Sequence, residues 1–139
     1  MKKVVNSILF FAYLIFSAYS QAETVVIVHP SNTSDLPVAE ISKIFLGKQS
    51  TFANGGEAVP VNLAEGNATR DAFDNTVLGK NARQIKAYWS KLVFTGKGTP
   101  PKEVESDEKV IELVSKNPNV IGYIDAASAS DKVKVVHKF

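Results

Sequence analysis

Val59–Phe73 reads VPVNLAEGNATRDAF, and its two halves carry different periods. Ala58–Asn62 (AVPVN) is a short apolar run rich in β-branched residues and predicts a strand, with Pro60 placing it near an edge or bend. From Asn67 or Ala68 to Leu78, Phe73 and Val77 recur at helical spacing, and Gly79 follows as a stop. Between them lies Gly66, a residue able to take the tight turn that sends a strand straight into a helix. That strand–turn–helix unit sets the class as α/β, and the rest of the chain is read outward from it.

Upstream, Thr24–Val28 (TVVIV) predicts a buried strand at the centre of the sheet, ended by His29-Pro30 and a Ser/Asn/Thr-rich turn. Pro37–Leu46 places Val38, Ile41, Ile44 and Phe45 on one helical face and stops at Gly47. Lys48–Glu57, with Asn54-Gly55-Gly56, reads as a loop. Downstream, Asn81 and Gln84 stand at capping-box spacing before a helix with Ile85, Trp89, Leu92 and Val93 inward, Trp89 as core. Thr95–Pro101 (TGKGTPP) breaks the pattern. Ser106 caps a fourth helix through about Lys116, with Val110, Ile111 and Val114 buried, and two strands, Val120–Ile124 and Lys132–Val136, follow. Alternating strands and helices without repeats predict a mixed sheet flanked by helices.

The first residues have a separate logic. Lys2 and Lys3 precede the apolar run Ile8–Phe16, and Ser20-Gln21-Ala22 places small residues at the −3 and −1 positions of a cleavage site. A spanning helix needs roughly 20 apolar residues and this run is about half that. The expectation is a cleaved signal peptide over residues 1–22 and one domain over residues 23–139, free in the periplasm, since the chain contains no Cys to carry a lipid or a disulfide. Lys2 and Lys3 also account for the net charge of +2, leaving 14 basic and 14 acidic residues beyond them. A neutral domain without a basic stripe is not a nucleic-acid binder.

Catalytic patterns are scarce. Neither a thiol nucleophile nor a zinc site can be assembled from His29, His137 and no Cys. Ser128-Ala-Ser130 lacks the glycines of a nucleophile elbow, and Gly96-Lys97-Gly98-Thr99 lacks the Ser or Thr that follows the lysine of a phosphate loop. No catalytic residue, metal or cofactor is implied. The informative candidates are Gly66, Asn67, Thr69 and Arg70. Amides in the first turn of a helix lack partners within it and carry the positive end of its dipole, so such an end binds small oxyanions. Thr69 adds a hydroxyl, and Arg70 a guanidinium suited to a bidentate grip. The alternative is structural: Asn67 caps the helix, and Arg70 pairs with Asp71 or Asp74 on a solvated surface.

Four segments resemble the phosphate-binding proteins of ABC transporters, which have the type 2 periplasmic-binding fold. Ile41–Lys48 (ISKIFLGK) looks like that family's helix-and-turn segment. Glu65-Gly-Asn-Ala-Thr69 is similar to its phosphate-loop pattern Asp-Gly-Ser-Gly-Thr, and Phe94-Thr-Gly-Lys97 and Ile121-Gly-Tyr-Ile124 look like later landmarks. The match covers nearly all of Thr24–Val136. The resemblance implies one lobe of that fold, with an anion site at Gly66–Thr69 and Ser31, Asn32 and Thr33 as a weaker second group at the crossover loop. Two departures accompany it: Leu63 stands where the family usually has an Arg three residues before its Gly, and the chain matches only the second lobe with its two crossover strands. The implied role is non-catalytic binding of a small oxyanion, phosphate first, with an ABC permease, a sensor or a second copy as partner. The rival role is an interaction or scaffold module that keeps the fold without the ligand.

Overall fold

A computed structural model describes residues 22–139, so the signal-peptide reading falls almost wholly outside the described residues. Five strands form one mixed sheet in the order β3-β2-β4-β1-β5. β1 is Thr24–Val28, β2 Val59–Leu63, β3 Lys102–Val104, β4 Val120–Asp125 and β5 Lys134–Lys138. β2 runs parallel to β3 and β4, whereas β1 runs antiparallel to β4 and β5. The helices are α1 (Val38–Phe45), α2 (Ala68–Phe73, continued by a π turn over Asp74–Leu78), α3 (Ala82–Phe94) and α4 (Asp107–Lys116). This is the mixed, helix-flanked sheet that the alternation of strands and helices predicts.

The alternation of β4 fixes the layers. Successive strand residues face opposite sides of a sheet. Tyr123 stacks on Phe73 of α2, ring centroids 3.9 Å apart, and lies 5.6 Å from the Phe45 ring of α1. Its neighbour Gly122 faces α4, where an added Cβ would stand 2.5 Å from Val110 Cγ1. The sheet is therefore sandwiched between α1 and α2 on one side and α4 on the other. β4 can touch α4 so closely only because residue 122 has no side chain. All five residues of β1 are buried, as expected of TVVIV, although β4 rather than β1 is the central strand.

Pro60 sits where its missing N–H costs least. β2 meets β4 at Val59 and Pro60, but β3 joins only from Val61 onward, so the proline lies on a locally open edge. β3 is absent from the sequence reading: three residues after a Gly- and Pro-rich break present no measurable alternation. The last strand begins two residues later than expected, because Val133 closes a turn onto the Ser130 carbonyl.

α3 stands apart from this core. Its capping box forms as expected, the Asn81 side chain accepting from the Gln84 amide and the Gln84 side chain from that of Asn81. Ile85 and Trp89 form a small cluster with Leu46, separate from the main core. Trp89 is buried, as expected, but Val93 is 54% exposed. Val93 stands four residues past Trp89, on the same helical face, but the Leu46 cluster covers that face only as far as Trp89, so the last turn of the stripe is left open.

Candidate functional site

The carboxyl end of β2 places the candidate residues. Gly66 takes φ +87, which lets the chain turn within the four residues Ala64–Asn67 from the end of β2 into α2. Asn67 is the N-cap, and its Oδ1 accepts hydrogen bonds from the amides of Thr69 (2.8 Å) and Arg70 (3.3 Å). The amides expected to meet a ligand are thus held by the chain's own side chain. The capping alternative describes this arrangement.

Arg70 pairs with Asp74, as the structural alternative has it, but in a buried setting. It is 8% exposed, not on a solvated surface. Nη1 donates to the Leu63 carbonyl at 3.1 Å and to Glu103 Oε1, and Nε lies 3.6 Å from Asp74 Oδ2. The guanidinium clamps the end of β2 to α2 and to β3. Asp74 is 2% exposed, and burial pushes its carboxyl from 3.8 up to about 6; Arg70 pulls it down and Asp71 adds to the rise. The i,i+4 spacing of Arg70 and Asp74 is legible in the sequence. Glu103 is not, because its strand was unseen.

Tyr123 completes the junction. Its hydroxyl donates to Asn62 Oδ1 at 3.0 Å and accepts from the Leu63 amide at 3.3 Å. The ladder between β2 and β4 ends at Pro60, and this hydroxyl satisfies the strand beyond it. Leu63 itself is fully buried in the core. Its side chain serves packing, and the guanidinium at this junction comes from Arg70 instead.

Above Arg70 opens a cavity of about 480 Å³. Arg70, Asp74 and Glu103 line its polar part with Glu65, Gly66 and Asp71, and Trp89 and Phe94 of α3 belong to its apolar wall. Four carboxylates surround Arg70 and Lys86, so the cavity has an acidic excess. Among the described residues no group of three His, Cys, Asp or Glu is arranged to hold a metal ion.

Ser31, Asn32 and Thr33 lie elsewhere. β1 runs against β4 and β4 runs with β2, so the end of β1 meets the start of β2. The two candidate groups therefore occupy opposite ends of the sheet, a five-residue strand or about 16 Å apart at 3.3 Å per residue. At its end, Ser31 Oγ lies 2.7 Å from His29 Nδ1, Asn32 Oδ1 accepts from the Ser34 amide, and Lys134 Nζ donates to the Asn32 carbonyl. These contacts shape the β1–α1 loop. The structure does not bring them to Gly66–Arg70.

No family model and no curated protein matches the chain. Solved structures do. A protein assigned as a phosphate ABC transporter substrate-binding protein from Clostridium perfringens, solved with bound phosphate, superposes with a TM-score of 0.65 at 25% identity over 83% of this chain and 45% of its own. An ABC-type phosphate transport receptor from Vibrio cholerae gives 0.65 at 17% identity over 84% of this chain and 46% of its own. PstS from Borrelia burgdorferi gives 0.62 at 15% over 83% and 47%. The chain has the fold of a lobe of these substrate-binding proteins at low identity, and spans less than half the length of each.

Proposed function

We propose that this chain is a non-catalytic binding lobe that takes a small oxyanion, phosphate first, at the junction of β2 and α2. The observation that carries the reading is the Arg70 guanidinium, held at the carboxyl end of a parallel strand beside the Gly66 turn and facing an open cavity. Ligands of open α/β sheets gather at such strand ends, and the Clostridium perfringens protein of the same fold was solved with phosphate. Binding proceeds by exchange. The oxyanion takes the Thr69 and Arg70 amides from Asn67 and one guanidinium edge from Glu103, while the Leu63 carbonyl keeps Arg70 in place. Each bond gained replaces one lost, so the affinity falls in the high-micromolar to millimolar range.

Calorimetric titration of the purified protein with phosphate tests this. The expected result is weak heat that Thr69→Ala reduces and Glu103→Gln enhances, since the latter removes the competing carboxylate. Silence at millimolar phosphate in both the native protein and Glu103→Gln overturns it. The same reading carries an export step, with cleavage after Ala22 and release to the periplasm, where an ABC permease or a sensor receives the loaded lobe. The mass of the exported protein checks this step, and a membrane-bound species retaining Met1–Ala22 refutes it.

A second reading, an interaction module on a retained scaffold, is favoured by one observation. The helix amides and the guanidinium are already satisfied internally, whereas Val93 and Phe94 are left to solvent.

A further inference from the structure

Exposed apolar side chains are few among the described residues, and they are not scattered. Of Val59, Val93 and Phe94, two are consecutive at the end of α3, and Phe94 is 92% exposed. This end is well ordered by its own hydrogen bonds: the Gly96 amide donates to the Val93 carbonyl at 3.1 Å and the Lys97 amide to that of Leu92 at 2.8 Å, with Gly96 at φ +67. A large aromatic side chain left in water on a backbone anchored in this way has much apolar area to gain when it is covered, which is the property of an interface anchor.

The charges around that ring complement those of the cavity beside it. Lys91 and Lys97, both exposed, stand three residues to either side of Phe94. The cavity presents four carboxylates, those of Glu65, Asp71, Asp74 and Glu103, against Arg70 and Lys86, and its apolar wall of Ile85, Trp89 and Pro100 ends at Phe94 itself. One molecule thus carries an aromatic anchor bracketed by cations at the rim of an apolar cavity with a net acidic excess. A patch bearing both halves of a match is self-complementary about a twofold axis.

We propose that this surface is a homodimer interface in which Phe94 of a second copy seats in the cavity above Arg70. Lys91 and Lys97 of that copy lie against the carboxylates at its mouth, and the relation is reciprocal. The pairing uses the cavity that Arg70 faces but depends on Phe94 and on charge, so in phosphate-free buffer it can fail or stand without deciding the oxyanion reading.

Sedimentation equilibrium of the purified protein in phosphate-free, low-salt buffer tests it. The expected result is a concentration-dependent dimer that weakens with salt, since exposed charge pairs are screened. Phe94→Ser weakens it by about tenfold or more, a loss of roughly 1.4 kcal/mol, with an unchanged melting temperature because the ring is outside the core. Lys91→Glu with Lys97→Glu weakens it as well, and mixing that variant with Glu65→Lys, Asp71→Lys restores a mixed dimer. A monomer at the highest soluble concentration overturns the proposal, and so does a dimer indifferent to Phe94→Ser or a failure of the charge-reversed pair to associate.

Discussion

Arg70 shows how one side chain can join three segments while leaving a neighbour under strain of charge. Its Nη1 is shared by the Leu63 carbonyl and Glu103, so Asp74 receives only the Nε edge at 3.6 Å. A buried carboxylate with a partial partner is costly, and burial accordingly holds the Asp74 carboxyl near 6 against 3.8. Because the folded value is raised, the folded state binds more protons than the unfolded chain between those two values, and stability falls as pH rises across about 4 to 6. A displacement of roughly two units corresponds to at most about 3 kcal/mol at neutral pH. Asp74→Asn is therefore expected to flatten this dependence and raise stability above pH 6, measured by denaturant melts from pH 4 to 8. An unchanged slope in the variant would show that Asp74 is not its source.

At the scale of elements, the helices with marked ends were legible and the pieces held by distant partners were not. Ser106, Asn81 with Gln84, and Asn67 all cap the helices the sequence places after them. A cap is local chemistry and needs no tertiary partner. β3 is the opposite case: Lys102–Val104 is a strand only because Val61–Leu63 offers it a parallel edge. With β3 unseen, Glu103 was unseen, and the burial of Arg70 with it. The exposure of Val93 was hidden for a similar reason, since periodicity gives a stripe but not where the surface it covers ends.

Two substitutions separate the strong element contacts from the satellite one. Gly122→Ala sets a methyl 2.5 Å from Val110, between a central strand and a helix that is buried there at both Val110 and Val114. Overpacking of this kind costs about 1–3 kcal/mol, and the loss should appear as a lower midpoint of global unfolding. Trp89→Ala removes an indole worth about 3–5 kcal/mol where fully packed, but its cluster of Leu46 and Ile85 is separate from the sheet's core. The expected result is local: α3 amides lose protection against hydrogen exchange while β1 and β4 keep theirs. Uniform loss across the sheet would instead make α3 part of the main cooperative unit.

For the whole molecule, the proposed oxyanion site at the β2–α2 junction is open to water on its cavity side. Water on that face screens charge and competes for the lone pairs of an oxyanion, and the internal competitors Asn67 and Glu103 add to the cost. A second copy docked through Phe94 changes both terms. In the proposed dimer its ring would exclude solvent from above Arg70, and its Lys91 and Lys97 would engage the carboxylates at the mouth, Glu103 among them, freeing the guanidinium for an oxyanion. Binding and association are then coupled with the same sign. Linkage requires that whatever factor the dimer adds to oxyanion affinity, the oxyanion adds to dimer affinity, typically about 5- to 150-fold for couplings of 1–3 kcal/mol. Phosphate should therefore strengthen self-association, whereas chloride at equal ionic strength, which only screens, should weaken it. Lys91→Glu with Lys97→Glu should leave the weak monomeric binding and abolish the coupling. Sedimentation across a phosphate series decides the matter: an association constant that phosphate leaves unchanged or lowers separates the two sites, and sub-micromolar phosphate binding by a strict monomer shows that the open lobe suffices alone.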